Sequence, residues 1–467
     1  MNPTPQTADR PARLAFYGDD FTGSTDALEV LAFAGLRCAL FLKPPSAAML
    51  ERFGGLDAIG LAGDSRAMTP AEMDAALPAL LQALAALAPV LHYKVCSTFD
   101  SAPGIGNIGR VIELARRGVA DGVVPVVAGN PALGRYCLFG NLFARSGTDG
   151  QVHRIDRHPI MSVHPVTPMD EADLTLHLAR QAALRFAKFT LADFAGDRAA
   201  VDRRLGELTA GSPDALLFDS ASAEQLTEVG RLLDGMSRRT QPLFVVGSSG
   251  VEYALTQWWR QAGLPFGASD GFDSFGPAGP VLVVSASASA LTAMQIETAI
   301  DDGFAELPLN ARTLVDEARW PAACDEIVSA AAALLAQGRS VILHTARGPA
   351  DPRIAEMVDS LVASGLSPAD ARHQGGRTLG VRLGQLTQAV LARQPLRRIV
   401  FSGGDTSSQV TQVLAPDALT VLARLAPGAP LCRMHALQGP HDGLEVALKG
   451  GQMGDRHYFV RARDGRA

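Results

Sequence analysis

The sequence predicts an α/β protein of two α/β domains, each a largely parallel sheet with helices on both faces, joined by a Gly/Pro-rich linker. Three observations carry that expectation. Short β-branched or apolar runs alternate with Ala/Leu-rich amphipathic stretches almost throughout, the pattern of strand–helix–strand units. A chain of 467 residues is too long for one ordinary core. The stretch GLPFGASDGFDSFGPAGP (263–280) breaks the alternation without any periodicity of its own. The expected organisation is a first domain over 1–262, a linker over 263–280 and a second domain over 281–467.

In the first domain the expected strands are RLAFY (13–17), CALFL (38–42), LDAIGLA (56–62), VLHYKV (90–95), GVVPVVA (122–128), ALLFD (215–219) and LFVVG (243–247). Helical patterns fall between them at 23–35, 71–88, 106–117 and 222–235. The alternation restarts with VLVVS (281–285), a helix from about 290, SVILHT (340–345), helices to about 393 and RIVFS (398–402). Residues 431–449 read as further β-structure.

Composition removes several classes of function. A net charge of -6 with scattered Lys and Arg provides no basic stripe for nucleic acid. Five dispersed cysteines form no C-x-x-C pair, so neither a zinc site nor a disulfide framework is expected. MNPTPQTADRPAR lacks the apolar core of a signal peptide, and no apolar stretch is long enough to span a bilayer. The expectation is a soluble, cytoplasmic protein with no membrane or nucleic-acid partner.

Gly104-Ile-Gly106-Asn-Ile-Gly109 fits G-x-G-x-x-G, the dinucleotide fingerprint, but its context does not. The first glycine should follow a strand directly, and here eight residues intervene after 90–95. The next strand should end in Asp or Glu, and it runs into Ala128-Gly129-Asn130 instead. An NAD-dependent oxidoreductase is therefore the weaker reading. The glycines are expected to serve a tight loop and helix start, with their amides open to an anionic substrate.

Polar clusters at strand ends are more telling, because open α/β sheets bind ligands there. Gly18, Asp19, Asp20, Thr22 and Gly23 follow the first strand, where adjacent aspartates can supply a general base or merely cap a helix. Gly63, Asp64, Ser65 and Arg66 follow the third, and Arg66 could grip a carboxylate with its planar fork. Lys94, Ser97, Thr98, Asp100 and Ser101 crowd the fourth, where a buried Lys94 would need an anion. Three such ends suggest a pocket for a small hydroxylated acid.

The second half carries RIVFSGGDTSSQV. Gly403 and Gly404 let the backbone approach a ligand, and Asp405, Thr406 and Ser407 open a helix whose free amides attract phosphate. An aspartate beside phosphate needs a metal or hydroxyl between them, which suggests Mg²⁺ or a ribose for Asp405. Ser285, Ser287 and Ser289 follow a strand, and Lys449, Gly450, Gly451 and Gly454 form a third turn. No P-loop and no protein-kinase signature is present.

The ordered segments YGDDFTGSTDAL, GDSRAMTPAE, YKVCSTFDSAPGIGNIG, HPVTPM, VVGSSGVEYAL, VSASASALTAMQ, FSGGDTSSQV and ALKGGQMGD span nearly the whole chain. On them the chain resembles the four-carbon acid sugar kinases, and CSTFDS looks most like the branch acting on 3-oxo-tetronates. Two stretches depart from the family pattern. AGN precedes the PA of VPVVAGNPALGRYCLFG, which keeps Gly134 and Arg135, and HRIDRHPIMSVHPVTPM is longer than usual. They leave room for a branched substrate such as 3-oxo-isoapionate.

The resemblance implies a sugar-acid-binding N-terminal domain, a nucleotide-binding C-terminal domain and phosphorylation of a terminal hydroxyl by ATP with Mg²⁺. It implies that Asp20 or Asp19 deprotonates the hydroxyl, with Lys94 catalytic beside them. Arg66 and Lys94 would hold the carboxylate or oxo oxygen, with Asp64, Ser65, Ser97, Thr98, Asp100, Gly134 and Arg135 lining the sugar site. Ser285, Ser287, Ser289, Gly403, Gly404, Asp405, Thr406, Gly450 and Gly451 would bind ATP. No residue is assigned as a metal ligand, and a homodimer is left open. A non-catalytic sugar-acid sensor is the remaining rival, disfavoured because both polar clusters are kept.

Overall fold

The computed structural model describes residues 12–146, 150–164, 166–240, 242–267, 272, 275–437 and 439–465, and the Asp405 side chain lies outside the described residues. The chain divides into two compact units, Met1–Ala268 and Ser269–Ala467. The change of unit falls inside the stretch expected as a linker, of which 268–271 and 273–274 lie outside the described residues. The Pro165 of HPVTPM also lies outside them.

Unit one contains β1 (Leu14–Gly18), β2 (Cys38–Phe41), β3 (Ala58–Ala62), β4 (Val90–Lys94), β5 (Val124–Val127), β6 (Arg135–Leu138), β7 (Asn141–Arg145), β8 (Val152–Arg154), β9 (Phe186–Phe189), β10 (Ala215–Phe218) and β11 (Leu243–Gly247). Eight of these form a parallel sheet in the order β2-β3-β1-β4-β11-β5-β10-β9. Every residue of β1, β2, β4, β5, β10 and β11 is buried, which is why these strands read as continuous apolar runs rather than alternating ones. Connections from β1 and β10 run one way across the sheet and those from β3 and β4 the other. With right-handed crossovers this places helices on both faces. Accordingly helices Phe21–Phe33, Ala223–Ser237 and Gly250–Gln261 pack together, as do Pro70–Ala85 and Ile108–Gly118. Gly60 on β3 makes room for the Phe16 ring, 2.1 Å from where a Cβ would stand.

Strands β6, β7 and β8 form a small antiparallel sheet that the periodicity did not announce. They are short and half-exposed, so neither an apolar run nor a long alternation marks them. Asp219, directly after β10, accepts hydrogen bonds from the amides of Gly140 (2.9 Å) and Leu191 (2.8 Å), fastening this sheet to the main one.

Unit two contains β12 (Leu282–Ser285), β13 (Ala305–Pro308), β14 (Val341–His344), β15 (Arg398–Ser402), β16 (Ala418–Ala426), β17 (Ala429–His435) and β18 (Glu445–Lys449). Their order is β13-β14-β12-β15-β18-β17-β16, parallel except at β17, which is antiparallel to both neighbours. The β-structure expected from 431 thus begins earlier, with β16. One core of this unit packs Val281, Val283, Ile342, Val400 and Leu431 against Ile296, Phe304, Tyr458 and Phe459. Each buried aliphatic or aromatic side chain there stabilises by about 1.5–3 kcal/mol. Among the described residues no helix is long and apolar enough to cross a membrane.

Candidate active site

In unit one the direction of connection reverses between the neighbours β1 and β4, which opens a crevice at their carboxyl ends. Three predicted clusters meet around it. The Asp19 amide donates to the Lys94 carbonyl at 2.9 Å, and the Arg66 amide to the Asp19 carbonyl at 3.0 Å. Arg66 then spends its guanidinium on the two aspartates: Nη2 reaches Asp19 Oδ1 at 2.8 Å, Nε reaches Asp19 Oδ2 at 3.2 Å and Nη1 reaches Asp20 Oδ2 at 3.0 Å. Asp20 also caps helix Phe21–Phe33, its Oδ1 accepting from the Gly23 amide at 2.8 Å. A Cβ at Gly23 would stand 2.4 Å from that oxygen and 3.2 Å from Lys94 Nζ.

Burial pushes the Asp19 carboxyl up to about 6; Arg66 opposes the shift and Asp20 adds to it. Lys94 is buried, which disfavours its charge, but Asp26, Glu252, Asp19 and Asp20 outweigh this and raise it above the ordinary value. Its Nζ donates to the Val95 carbonyl at 3.0 Å and lies 3.5 Å from Asp26 Oδ2. Asp100 is likewise buried, yet Arg66 and the Thr98 hydroxyl hold its carboxyl below the usual range. Ser97 is half-buried. Ser65 shares a 2.7 Å hydrogen bond with the Tyr93 hydroxyl, while Asp64 is exposed.

The expectation that Arg66 and Lys94 hold a substrate carboxylate meets a specific obstacle, since both cations already face carboxylates of the chain. Among the described residues no carboxylate faces Arg135. There its guanidinium donates to main-chain carbonyls of Leu133 (3.1 Å), Gly134 (3.4 Å) and Arg145 (3.1 Å), and its buried Nε has no partner. Burial pulls its charge below the ordinary value, and Cys96 is its ionisable neighbour. Gly134, at φ 65°, makes the turn that delivers Arg135, with its amide on the Pro131 carbonyl.

Two of the three fingerprint glycines find uses other than a ligand. Gly106, at φ 59°, donates its amide to the Met68 carbonyl at 2.9 Å, and a Cβ there would stand 2.7 Å from the Arg66 carbonyl. The Gly109 amide donates to Gln181 Oε1 at 3.1 Å. These two amides, expected to be open to an anion, are consumed within the fold. The helix expected from 106 begins at Ile108, capped by Asn107.

In unit two the connections reverse between β12 and β15, and the second set of candidates gathers there. Ser289 caps helix Ala290–Asp301, and its Oγ and that of Ser287 each lie 3.0 Å from Thr292 Oγ1. The Ser287 amide donates to Ser285 Oγ at 3.3 Å. Helix Gly404–Leu414 starts from Gly403, at φ 117°, with no side-chain cap. Helices Ala290–Asp301, Ala311–Val315, Pro352–Ala363 and Pro368–Arg393 of the same unit are each capped by Ser, Asn or Asp. Trp320–Ala336 and Tyr458–Asp464 also start without a side-chain cap, but Gly404–Leu414 is the uncapped helix that directly follows β15, with buried Thr406 in its first turn. A Cβ at Gly403 would meet Thr406 Oγ1 at 2.8 Å, and one at Gly451 would meet Ser287 Oγ at 2.8 Å, whereas Gly450 has 3.5 Å to Met453. Glycine cradles and unclaimed amides suit the phosphates of a nucleotide.

Three residues were left out of the sequence-based site. Asn130, after β5, is buried with Oδ1 unpartnered, and its Nδ2 donates to Ser249 Oγ, after β11, at 3.1 Å. Both are polar residues two or three positions past the ends of apolar strands, the signal already used elsewhere. The third is Lys449, named in the third turn but given no role there; it is the last residue of β18, buried beside Thr292 and Ser402.

Comparison with known proteins agrees with this division. Residues 14–255 match the family described as a sugar-binding N-terminal domain, and residues 282–459 match a nucleotide-binding C-terminal domain. The chain belongs to the four-carbon acid sugar kinase family. It is 43% identical over 454 residues to a 3-oxo-isoapionate kinase of Paraburkholderia graminis, covering 97% of this chain and 94% of that one. It is 28% identical over 459 residues to a 3-oxo-tetronate kinase of Cupriavidus necator, covering 97% of each. A solved structure from Salmonella typhimurium LT2 shares the fold with a TM-score of 0.75 at 21% identity, covering 97% of this chain and 100% of that one.

Proposed function

We propose that this chain is an ATP-dependent kinase that phosphorylates a terminal hydroxyl of a small 3-oxo acid sugar, with branched 3-oxo-isoapionate its preferred substrate and 3-oxo-tetronates the second choice. The observation that carries the reading is that each unit concentrates its polar candidates at its own reversal of strand order. One holds paired carboxylates with a guanidinium, the other glycine cradles and an uncapped helix. The preference rests on 43% identity to the isoapionate enzyme against 28% to a tetronate one, both nearly full-length.

In this reading Asp20 takes the hydroxyl proton. Its side chain is 29% exposed against 6% for Asp19, so it is the carboxylate a substrate can reach. Asp19 and Arg66 hold it in place, and Lys94 steadies the charge of the pair. Arg135 takes the substrate carboxylate with a guanidinium that no carboxylate among the described residues uses. Ser97, Thr98 and Asp100 meet its hydroxyls, with exposed Asp64 at the rim and buried Ser65 behind it on Tyr93. Bound ATP supplies the phosphoryl group and brings Mg²⁺ to neutralise the phosphates. Among the described residues no group of three or more His, Cys, Asp or Glu could hold a metal. Gly403, Gly404, Thr406, Gly450 and Gly451 shape the nucleotide seat, together with Asp405 and the serines 285, 287 and 289.

The test is ADP release from ATP and Mg²⁺ against 3-oxo-isoapionate, the 3-oxo-tetronates and the unoxidised erythronates and threonates. The expected result is a kcat/KM at least about tenfold higher for 3-oxo-isoapionate, the discrimination one extra or displaced carbon can give. No turnover with any of them overturns the reading.

A further inference from the structure

Two buried lysines end parallel strands of this chain, and they differ in compensation. Lys94, ending β4, lies among Asp26, Glu252, Asp19 and Asp20. Lys449, ending β18, is 1% exposed and donates to Ser402 Oγ at 3.0 Å and Thr292 Oγ1 at 3.2 Å.

No carboxylate faces Lys449 among the described residues. Helix Ala290–Asp301 presents Thr292, β15 presents Ser402, and helix Tyr458–Asp464 presents the Phe459 ring at 5.9 Å. Helix Gly404–Leu414 presents Ser407, whose hydroxyl goes to the Lys449 carbonyl at 3.4 Å. Strand β17 pairs with β18 only over Glu445–Ala447, so its Arg433 stands opposite Glu445 at the far end. The Asp405 side chain lies outside the described residues. A buried ammonium with hydroxyl partners alone is costly and is kept where a counter-charge arrives from elsewhere.

The position of the partners says where. Ser402 ends β15, and Thr292 lies in the first turn of the helix after β12, on either side of the strand-order reversal. Thr292 in turn meets the Gly451 carbonyl at 3.2 Å. One ammonium thus ties together the three strand ends that carry the nucleotide candidates.

We propose that Lys449 is a positioning residue whose missing counter-charge is supplied by the phosphates of the bound nucleotide. The inference rests on the kinase reading above. It has a consequence in protons. Burial pulls the Lys449 amine down to about 7, so at pH 8 the free protein holds it largely neutral. A phosphate nearby restores the ordinary range, and the amine takes up a proton as the nucleotide binds.

The experiment is calorimetric titration of MgADP into the full chain at pH 8, in two buffers of different ionisation enthalpy. Wild type is expected to take up roughly 0.9 proton per ADP, the neutral fraction for a group near 7. Lys449→Met should lose the uptake and bind ADP about tenfold or more weakly. Lys449→Arg, permanently charged, should bind ADP without uptake. Thermal melting establishes that each variant is folded, and if Lys449→Met is not, the loss or retention of uptake in Lys449→Arg decides. Uptake unchanged in the variants, or unchanged affinity in folded Lys449→Met, overturns the proposal. ADP binding by wild type without proton uptake defeats this proposal alone. Absence of ADP binding by folded wild type defeats the kinase reading and this proposal with it.

Discussion

Arg66 grips Asp19 with a two-pronged hydrogen bond, Nη2 to Oδ1 at 2.8 Å and Nε to Oδ2 at 3.2 Å, while its third nitrogen reaches Asp20 at 3.0 Å. The contact spans 47 residues of sequence, and it makes the loop after β3 the support of the paired carboxylates after β1. Removing Arg66 would leave Asp19 buried and unpaired, which costs about 3 kcal/mol or more. Arg66→Lys keeps the charge but not the fork, so we expect a folded protein with kcat at least about tenfold lower.

Asp19 gives the site a pH dependence. Its carboxyl rises from 3.8 to about 6 because burial disfavours the anion. The folded chain therefore binds this proton more tightly than the unfolded chain does. The stability Asp19 contributes is full below about pH 4 and is lost as pH rises through 6, by about 2–3 kcal/mol. Denaturant melts of wild type and Asp19→Asn between pH 4 and 7.5 check it: wild type should lose ground to the variant as pH rises. In turnover, protonating Asp19 loosens Arg66 and hence Asp20, so kcat/KM should fall on the acid side with an apparent midpoint near 6.

Gly23 is fixed by its neighbours rather than by its backbone angles. Gly23→Ala would bring a Cβ within 2.4 Å of Asp20 Oδ1 and 3.2 Å of Lys94 Nζ. Asp20 must rotate away, and kcat should fall by about a hundredfold, as for a displaced base, with the KM for ATP unchanged. Steady-state kinetics on the folded variant checks both halves.

Arg135 and Arg66 separate by the kinetic constant they move. Arg135→Gln should raise the KM for the acid sugar by about 10–100-fold, the worth of a charge-assisted pair, and leave ADP affinity alone. Equal loss of both affinities would show a structural effect instead.

Gly451→Ala places a Cβ 2.8 Å from Ser287 Oγ at a glycine with no positive φ to strain. ADP affinity should fall about tenfold while the melting temperature changes little. Titration calorimetry of the variant measures it directly.

Much of this site was legible in sequence because polar residues immediately follow apolar strands. Asp19, Arg66 and Lys94 stand where that pattern puts them, and Gly403 opens the helix expected there. Pairing was not legible, since nothing local reveals that Arg66 is spent on Asp19 while Arg135 meets no carboxylate among the described residues. The small sheet that carries Arg135 was also hidden, its strands being too short and half-exposed to show a period. Lys449 was named only as part of the third turn, because nothing local shows that Thr292, Ser402 and Phe459 close over its ammonium. The Gly104–Gly109 run shows the converse. Its spacing suits a dinucleotide, but the amides of Gly106 and Gly109 are taken by Met68 and Gln181.

The most direct measurement is a ³¹P spectrum of the full chain incubated with ATP, Mg²⁺ and 3-oxo-isoapionate, with Asp20→Asn as control. The account predicts one new phosphomonoester resonance growing in step with ADP, and at least about a hundredfold slower growth in the control. ATP left unchanged, or ADP formed with inorganic phosphate and no phosphomonoester, would contradict it.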